Sequence, residues 1–411
     1  MKSFSFRRLL LFLSVIGPGI ITSNVDNDAG GITTYSIAGA TYGYTLLWTL
    51  IPMIIALVVI QEMNTRMGAV TGKGLADLIR ERFGVKITFF AMLALLLGNL
   101  GNTISEFAGV AASMELFGAS KYISVPLSAL LVWWLVVRGT YKMVERIFLV
   151  ACAIYFSYVA SGLMAHPPWG EVMRELVVPH VNFSANYITV LVGVIGTTIA
   201  PWMQFYIQSA VVEKGITVKD YIFTKLDVIV GSFMVNFIAM FIMVACAATI
   251  HVRGIKIETV KEAALALAPL AGDWASWLFA LGLLNASLFS ASILPLATAY
   301  FVCEAFGIEA GIDKSWEEAP VFYWFYTIII VIGAGVILIP NISLILIMFW
   351  SQVINGVMLP FVLIFMLILI NNQDIMGEYV NSTIKNIITW TIVTIMIILT
   401  LMMVFTSLFQ T

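Results

Sequence analysis

Charge is scarce in this chain. Of its 411 residues, 11% are Asp, Glu, Lys or Arg, against about a quarter in soluble globular proteins. The deficit is matched by 61% hydrophobic residues and a mean hydropathy of +1.00. Together these exclude a soluble globular protein and indicate a polytopic membrane protein with little length left for an extramembrane domain. A net charge of −2 gives no reason to expect nucleic acid as a partner. Cysteine is confined to Cys152, Cys246 and Cys303, which lie far apart inside apolar runs. They have no ligand spacing and read as buried free thiols. His166, His180 and His251 fall in or near expected loops, which argues against a histidine-based metal centre. No nucleophile–base pair, histidine cluster or phosphate-binding glycine loop is present, so neither an enzyme nor a resident cofactor is expected.

What the chain has in abundance is long apolar runs. A bilayer core needs about 20 apolar residues per helix, which places spans near 9–42, 45–66, 87–116, 122–141, 146–165, 186–212, 226–250, 274–303, 321–339, 343–370 and 386–408. Lys2, Arg7 and Arg8 ahead of the first run resemble a signal peptide, but no small-residue cleavage site follows. That run is read as a retained first span. With the N-terminus cytoplasmic, sixteen of the 21 Lys and Arg fall on the inner side and five on the outer. Under the positive-inside rule the C-terminus is then outside, and a cell inner membrane is the expected location.

Two of these spans are interrupted. In the first, the apolar run from Leu9 meets Asp26, Asn27 and Asp28, then Ala29, Gly30 and Gly31, before turning apolar again. A carboxylate in mid-span costs about 2.5–3.5 kcal/mol even on lenient insertion scales. Acids beside paired glycines mark a place where a helix stops, exposes backbone carbonyls and restarts, which is tolerated only where protein buries it or it lines a wet cavity. In the sixth span Pro201 follows Gly196, Thr197 and Thr198 and precedes Gln204 and Gln208; it removes a backbone donor and clashes with the preceding turn. The two interruptions are five spans apart, and that odd separation inverts one half relative to the other. Paired interruptions of this kind point to a transporter's midplane binding site.

Other polar groups lie within spans. Asn99, Asn102, Thr103 and Glu106 share one helix face, either a wet pathway or a hydrogen-bonded seam between helices. Ser351, Gln352 and Asn355 also recur at helical spacing ahead of Pro360. Asn285, Ser287, Ser290 and Ser292 read as packing contacts between helices, and Glu304 and Glu115, at span ends, as solvated. At the breaks, Asp28 and Asp26 supply hard oxygens, and the carbonyls of Val25 and Thr197 with the amides of Gln352 and Asn27 supply neutral ones. Oxygen-only ligation suits magnesium, calcium or manganese rather than copper or zinc. The small residues Gly30, Gly31 and Ala200 leave room for the waters that magnesium retains.

Three stretches resemble the NRAMP family of divalent-metal transporters. They are Gly17-Pro-Gly-Ile with Asp28-Ala-Gly-Gly and Ala38 to Trp48; Gln61 to Gly72; and Ser351 to Phe361. The resemblance implies an all-α membrane protein of eleven transmembrane helices with a LeuT-type inverted repeat, spans 1–5 against 6–10, broken in spans 1 and 6. The transport core would run over 1–375, its repeats over about 9–165 and 186–370, with an extra C-terminal helix in 376–411. The family motif Asp-Pro-Gly-Asn stands here as Asp28-Ala29-Gly30-Gly31, and Met-Pro-His as Ala200-Pro201-Trp202; Thr103 stands where the family has an acid three residues before Glu106. Loss of the thioether removes a preference for softer metals, and loss of His and Asp removes groups expected to relay protons. The pattern resembles the NRAMP-related magnesium transporters. It implies import of partly hydrated magnesium, and of manganese, by alternating access without proton coupling. The implied metal positions are Asp28, Val25, Thr197, Ala200 and Gln352, with Gly31 widening the cavity and Asp26 and Asn27 holding water beside it. The expected partners are a divalent cation and the bilayer, and the expected state is a monomer. The alternative is a proton-coupled manganese or iron importer using Glu106 or Asp26 as proton acceptor. A sodium-coupled organic-solute symporter ranks lower, because anionic substrates favour helix N-termini without paired carboxylates.

Overall fold

The computed structural model describes residues 25–138, 152–219 and 221–409. Every regular element among them is helical. The principal helices are α1 (Ala29–Tyr42), α2 (Leu50–Thr71), α3 (Leu75–Leu116), α4 (Lys121–Arg138), α5 (Phe156–Met164), α6 (Trp169–Val177), α7 (Ala185–Thr198), α8 (Pro201–Glu213), α9 (Tyr221–Thr249), α10 (Ala275–Phe306), α11 (Pro320–Ile337), α12 (Leu344–Ile370) and α13 (Thr383–Phe409). Among the described residues, nine helical stretches are long and apolar enough to cross a membrane. They coincide with nine of the expected spans, α7 and α8 together forming the sixth. The other two expected spans, near 9–42 and 146–165, are covered only in part, by α1 and by α5 with the short turn before it. Residues 9–24 and 146–151 lie outside the described residues.

One boundary differs from expectation for a clear reason. α3 begins at Leu75 rather than near 87. Asp77, Arg80, Glu81 and Arg82 interrupt the apolar run, but Leu75, Ala76, Leu78 and Ile79 form a buried stripe on one side of that first segment. Gly84, at φ 78°, joins it to the long apolar part across a kink.

The breaks in the two interrupted spans have separate local causes. Between α7 and α8, Ile199 (φ −128°, ψ 68°) and Ala200 (φ −74°, ψ 144°) leave helical geometry. Pro201 has no N–H to return to the Thr197 carbonyl four residues back, and it is well suited to the first position of α8. At the start of α1, Asp28 takes an extended conformation (φ −71°, ψ −174°) and caps the helix, its side chain accepting from the Gly31 N–H.

Small residues bring these segments together. A Cβ on Gly196 of α7 would lie 2.2 Å from the Gln352 carbonyl oxygen and 2.3 Å from the Gly356 nitrogen, and one on Gly39 of α1 2.4 Å from the Met243 carbonyl oxygen. α7 against α12 and α1 against α9 thus pack backbone to backbone, the close approach that small residues permit inside a bilayer. The Tyr35 hydroxyl of α1 meets Thr198 Oγ1 of α7 at 2.8 Å. α13 is tied to α2 by buried polar contacts: Arg66 donates to the carbonyls of Tyr379 and Val380 at 2.9 and 3.0 Å, and Glu62 pairs with Arg66 and Lys385 at 3.3 and 2.7 Å.

Candidate metal site at the helix breaks

The N-terminus of α1 and the C-terminus of α7 meet at Gly31. A Cβ there would lie 2.4 Å from the Asp26 backbone oxygen, 3.1 Å from Thr197 Oγ1 and 3.3 Å from Asp28 Oδ1. Three oxygens from two broken spans therefore surround the place that a side chain at position 31 would occupy. Asp28 Oδ1 accepts from the Gly31 N–H at 2.6 Å. Thr197 Oγ1, Asp26 Oδ2 and Asn27 Oδ1 are buried and without a hydrogen-bond partner among the described residues. Orphaned polar atoms at such density are expensive unless an ion or ordered water completes them. This donor set is oxygen throughout.

The other expected positions surround this centre in different ways. Gln352 of α12 lies against Gly30, where a Cβ would sit 1.9 Å from Nε2, so the nitrogen end of the amide faces α1. Ala200 is buried and small, as expected. Its N–H donates to Met203 Sδ at 3.3 Å and its carbonyl accepts from Gln204 Nε2 at 3.1 Å. The one sulfur at the sixth-span break is thus turned onto the backbone. The Val25 carbonyl accepts from Ser290 Oγ of α10 at 3.3 Å. Asp26 enters through its backbone oxygen and Thr197 through its hydroxyl.

Glu106 was not among the expected metal positions, yet it reaches the same place. It is fully buried and accepts from the N–H of Ala29, the residue after Asp28, at 3.3 Å; its Oε1 has no partner among the described residues. An acid within a span was the available signal. The two readings of its helix face separate along α3. Glu106 lies at the break, whereas Asn99 and Asn102 form a seam: Asn99 Nδ2 donates to the Leu294 carbonyl at 2.8 Å and Asn102 pairs with Asn355 at 3.0 Å. Glu304, expected to be solvated, is instead partly buried and accepts from Ser209 Oγ of α8 at 2.5 Å, because the end of α10 packs under α8.

Residues 19–406 match the family model described as "Natural resistance-associated macrophage protein-like" (Nramp). The divalent metal cation transporter MntH of Yersinia pestis (strain Pestoides F) is 26% identical over 393 residues, 94% of this chain and 93% of that protein. A crystal structure of the Eremococcus coleocola manganese transporter superposes with a TM-score of 0.76 at 21% identity, covering 98% of this chain and 87% of the other. MhsT in complex with L-phenylalanine superposes at 0.64 and 14% identity, over 94% and 98%. These likenesses give the chain a LeuT-type helical membrane fold, and the match across nearly its whole length means that it belongs to the Nramp family.

Proposed function

We propose that this chain transports a divalent metal cation across the membrane by alternating access, binding it between the breaks of the first and sixth spans. The carrying observation is the convergence of the Asp26 carbonyl, Asp28 Oδ1 and Thr197 Oγ1 on the space left by Gly31. Asp28 supplies the charge. Asn27 supplies an amide oxygen and Gln352 another once its amide is turned, the carbonyls of Thr197 and Val25 neutral oxygen, and the small side chains of Gly31 and Ala200 space. The relatives named as divalent metal cation and manganese transporters support the cargo class.

The finer part of the proposal is that the ion is magnesium, with manganese also accepted, and that it keeps several waters. Oxygen ligands suit hard cations and magnesium sheds water reluctantly. Ala200 offers no sulfur, and Met203 Sδ is occupied by the Ala200 N–H. The transport core is assigned to 1–375, as inverted repeats over 9–165 and 186–370, with the 376–411 helix outside it. The N-terminus is cytoplasmic, the C-terminus is outside, and the chain is a monomer. Transport is not coupled to protons. The test is uptake into proteoliposomes across a panel of divalent metals with a pH-sensitive dye inside. Magnesium and manganese flux without acidification is expected, and proton influx that tracks metal influx refutes the uncoupled mechanism.

One observation favours a second reading, the proton-coupled manganese importer. Glu106 is a second buried acid at the break, accepting from the N–H of Ala29 beside Asp28, and is placed to take up a proton when a cation is absent. Acidification during uptake that disappears in Glu106→Gln would select this reading.

A further inference from the structure

A chain of side-chain amides runs from α10 through α3 to α12, and its direction is set at both ends by backbone. On α10, Thr298 Oγ1 donates to the Leu294 carbonyl at 3.1 Å, so both groups can only accept from Asn99 Nδ2, at 2.5 and 2.8 Å. Asn99 must therefore turn its oxygen to Asn102, whose Nδ2 lies 3.3 Å away. Asn102 and Asn355 exchange two bonds of 3.0 Å, and the remaining N–H of Asn355 donates to Gln352 Oε1 at 2.9 Å. At the far end, Ser351 Oγ donates to the Met348 carbonyl at 2.8 Å and so accepts from Gln352 Nε2 at 3.2 Å. A carbonyl cannot donate, so the two backbone ends impose the same orientation on every amide between them. Asn99, Asn102, Gln352 and Asn355 are all buried, so the bonds between them decide which way each amide points.

The consequence falls on Gln352. Its carbonyl oxygen, the atom that would ligate a cation, is held toward Asn355, while its NH2, with one N–H still uncommitted, lies against Gly30. An N–H aimed at the break repels a cation. We propose that Asn355 is the positioning residue that sets which end of the Gln352 amide faces the metal site, so that a divalent cation must turn this amide over in order to use it. The inference rests on the site reading above. Turning the amide gives up the bonds to Asn355 and Ser351, a penalty that lowers affinity by roughly three- to tenfold per bond. A narrow crevice beside the chain, lined by Gly98, Asn99, Asn102, Trp202, Asn355 and Met358, gives the amides room to re-pair around about one water. Partners that orient a metal ligand commonly change affinity by about 10–100-fold.

The experiment is calorimetric titration of the detergent-solubilised full-length chain with manganese ions. Asn355→Asp replaces a donor by an acceptor, draws Gln352 Nε2 toward itself and turns the oxygen to the break; affinity is expected to rise roughly three- to tenfold. Asn355→Leu only releases the amide, and a smaller gain, about twofold, is expected. Both gains vanish in a Gln352→Ala background, which separates orientation from the added charge. If Asn355→Asp does not give a monodisperse protein, Asn355→Leu decides alone. Unchanged or weaker binding in a folded variant, or the same gain without Gln352, overturns the inference. Asp28→Ala in parallel identifies the source of a failure. Binding lost there, with no Gln352-dependent gain, removes only the role of Asn355; binding retained there removes the site and this inference with it.

Discussion

Asp28 does two jobs, and two substitutions separate them. Its Oδ1 caps α1 by accepting from the Gly31 N–H at 2.6 Å, and its charge is the one the proposed site depends on. Asn is as good an N-cap as Asp, whereas Ala in place of either costs about 0.5–2 kcal/mol. Asp28→Asn therefore keeps the cap, but the negative charge is gone. Removing one partner of a buried, hydrogen-bonded charge pair costs about 2–5 kcal/mol, so metal affinity should fall by about thirtyfold to a few thousandfold. Asp28→Ala should lose the same affinity and also unfold more readily. The assays are calorimetry with manganese and magnesium, and thermal unfolding in detergent. The expected result is two binding-dead proteins of which only the alanine variant is destabilised. Asp28→Asn binding within threefold of the wild type would refute the site, and equal stability of the two variants would refute the cap.

Thr197→Val keeps the carbonyl and removes the orphaned hydroxyl beside Gly31; affinity should drop about tenfold with little loss of stability, and unchanged uptake kinetics would take that hydroxyl out of the site. Pro201→Ala restores an N–H four residues after Thr197 and should heal the break, weakening metal binding at least about tenfold while raising the thermal midpoint; a variant that binds normally argues against the freed carbonyl. Ala200→Met introduces a thioether and should tilt competition uptake toward manganese over magnesium, and an unmoved ratio would mean that cavity size sets selectivity. Arg66→Ala leaves Glu62 paired with Lys385 but strips the Tyr379 and Val380 carbonyls of their donor; about 1–3 kcal/mol of destabilisation is expected, read as a lower midpoint in detergent, and no change would show that α13 is held by its apolar face alone.

Both helix breaks were legible because their causes are local. Pro201 lacks a donor wherever it sits, and Asp28, following Asp26 and Asn27 in an apolar run, is a ready N-cap for the helix that starts at Ala29. Nine spans were legible because the bilayer demands a fixed apolar length, and that length rule missed Leu75–Phe83, an amphipathic segment joined to the rest of α3 across Gly84. The likeness of Gly17–Ile20, Asp28–Gly31 with Ala38–Trp48, Gln61–Gly72 and Ser351–Phe361 to Nramp motifs was legible for the same reason, each being contiguous in the chain.

The partners of those local features were not legible. Glu106 lies on α3, far along the chain from Asp28, and only the packing of α3 against the start of α1 brings the two acids together. Nothing in the spacing of Asn99, Asn102, Thr103 and Glu106 says that the first two face α10 and α12 while the last faces a helix break. The Val25 carbonyl was freed by sequence but claimed by Ser290, and Gln352 turns its nitrogen rather than its oxygen to Gly30 because carbonyls on α10 and α12 dictate it. Sequence alone therefore determined where the helices break and that hard oxygen donors line the gap, since these follow from backbone valence and side-chain chemistry. Tertiary structure decided which oxygens meet, because hydrogen-bond direction and close approach at Gly31, Gly30 and Gly196 depend on helices that are distant in the chain.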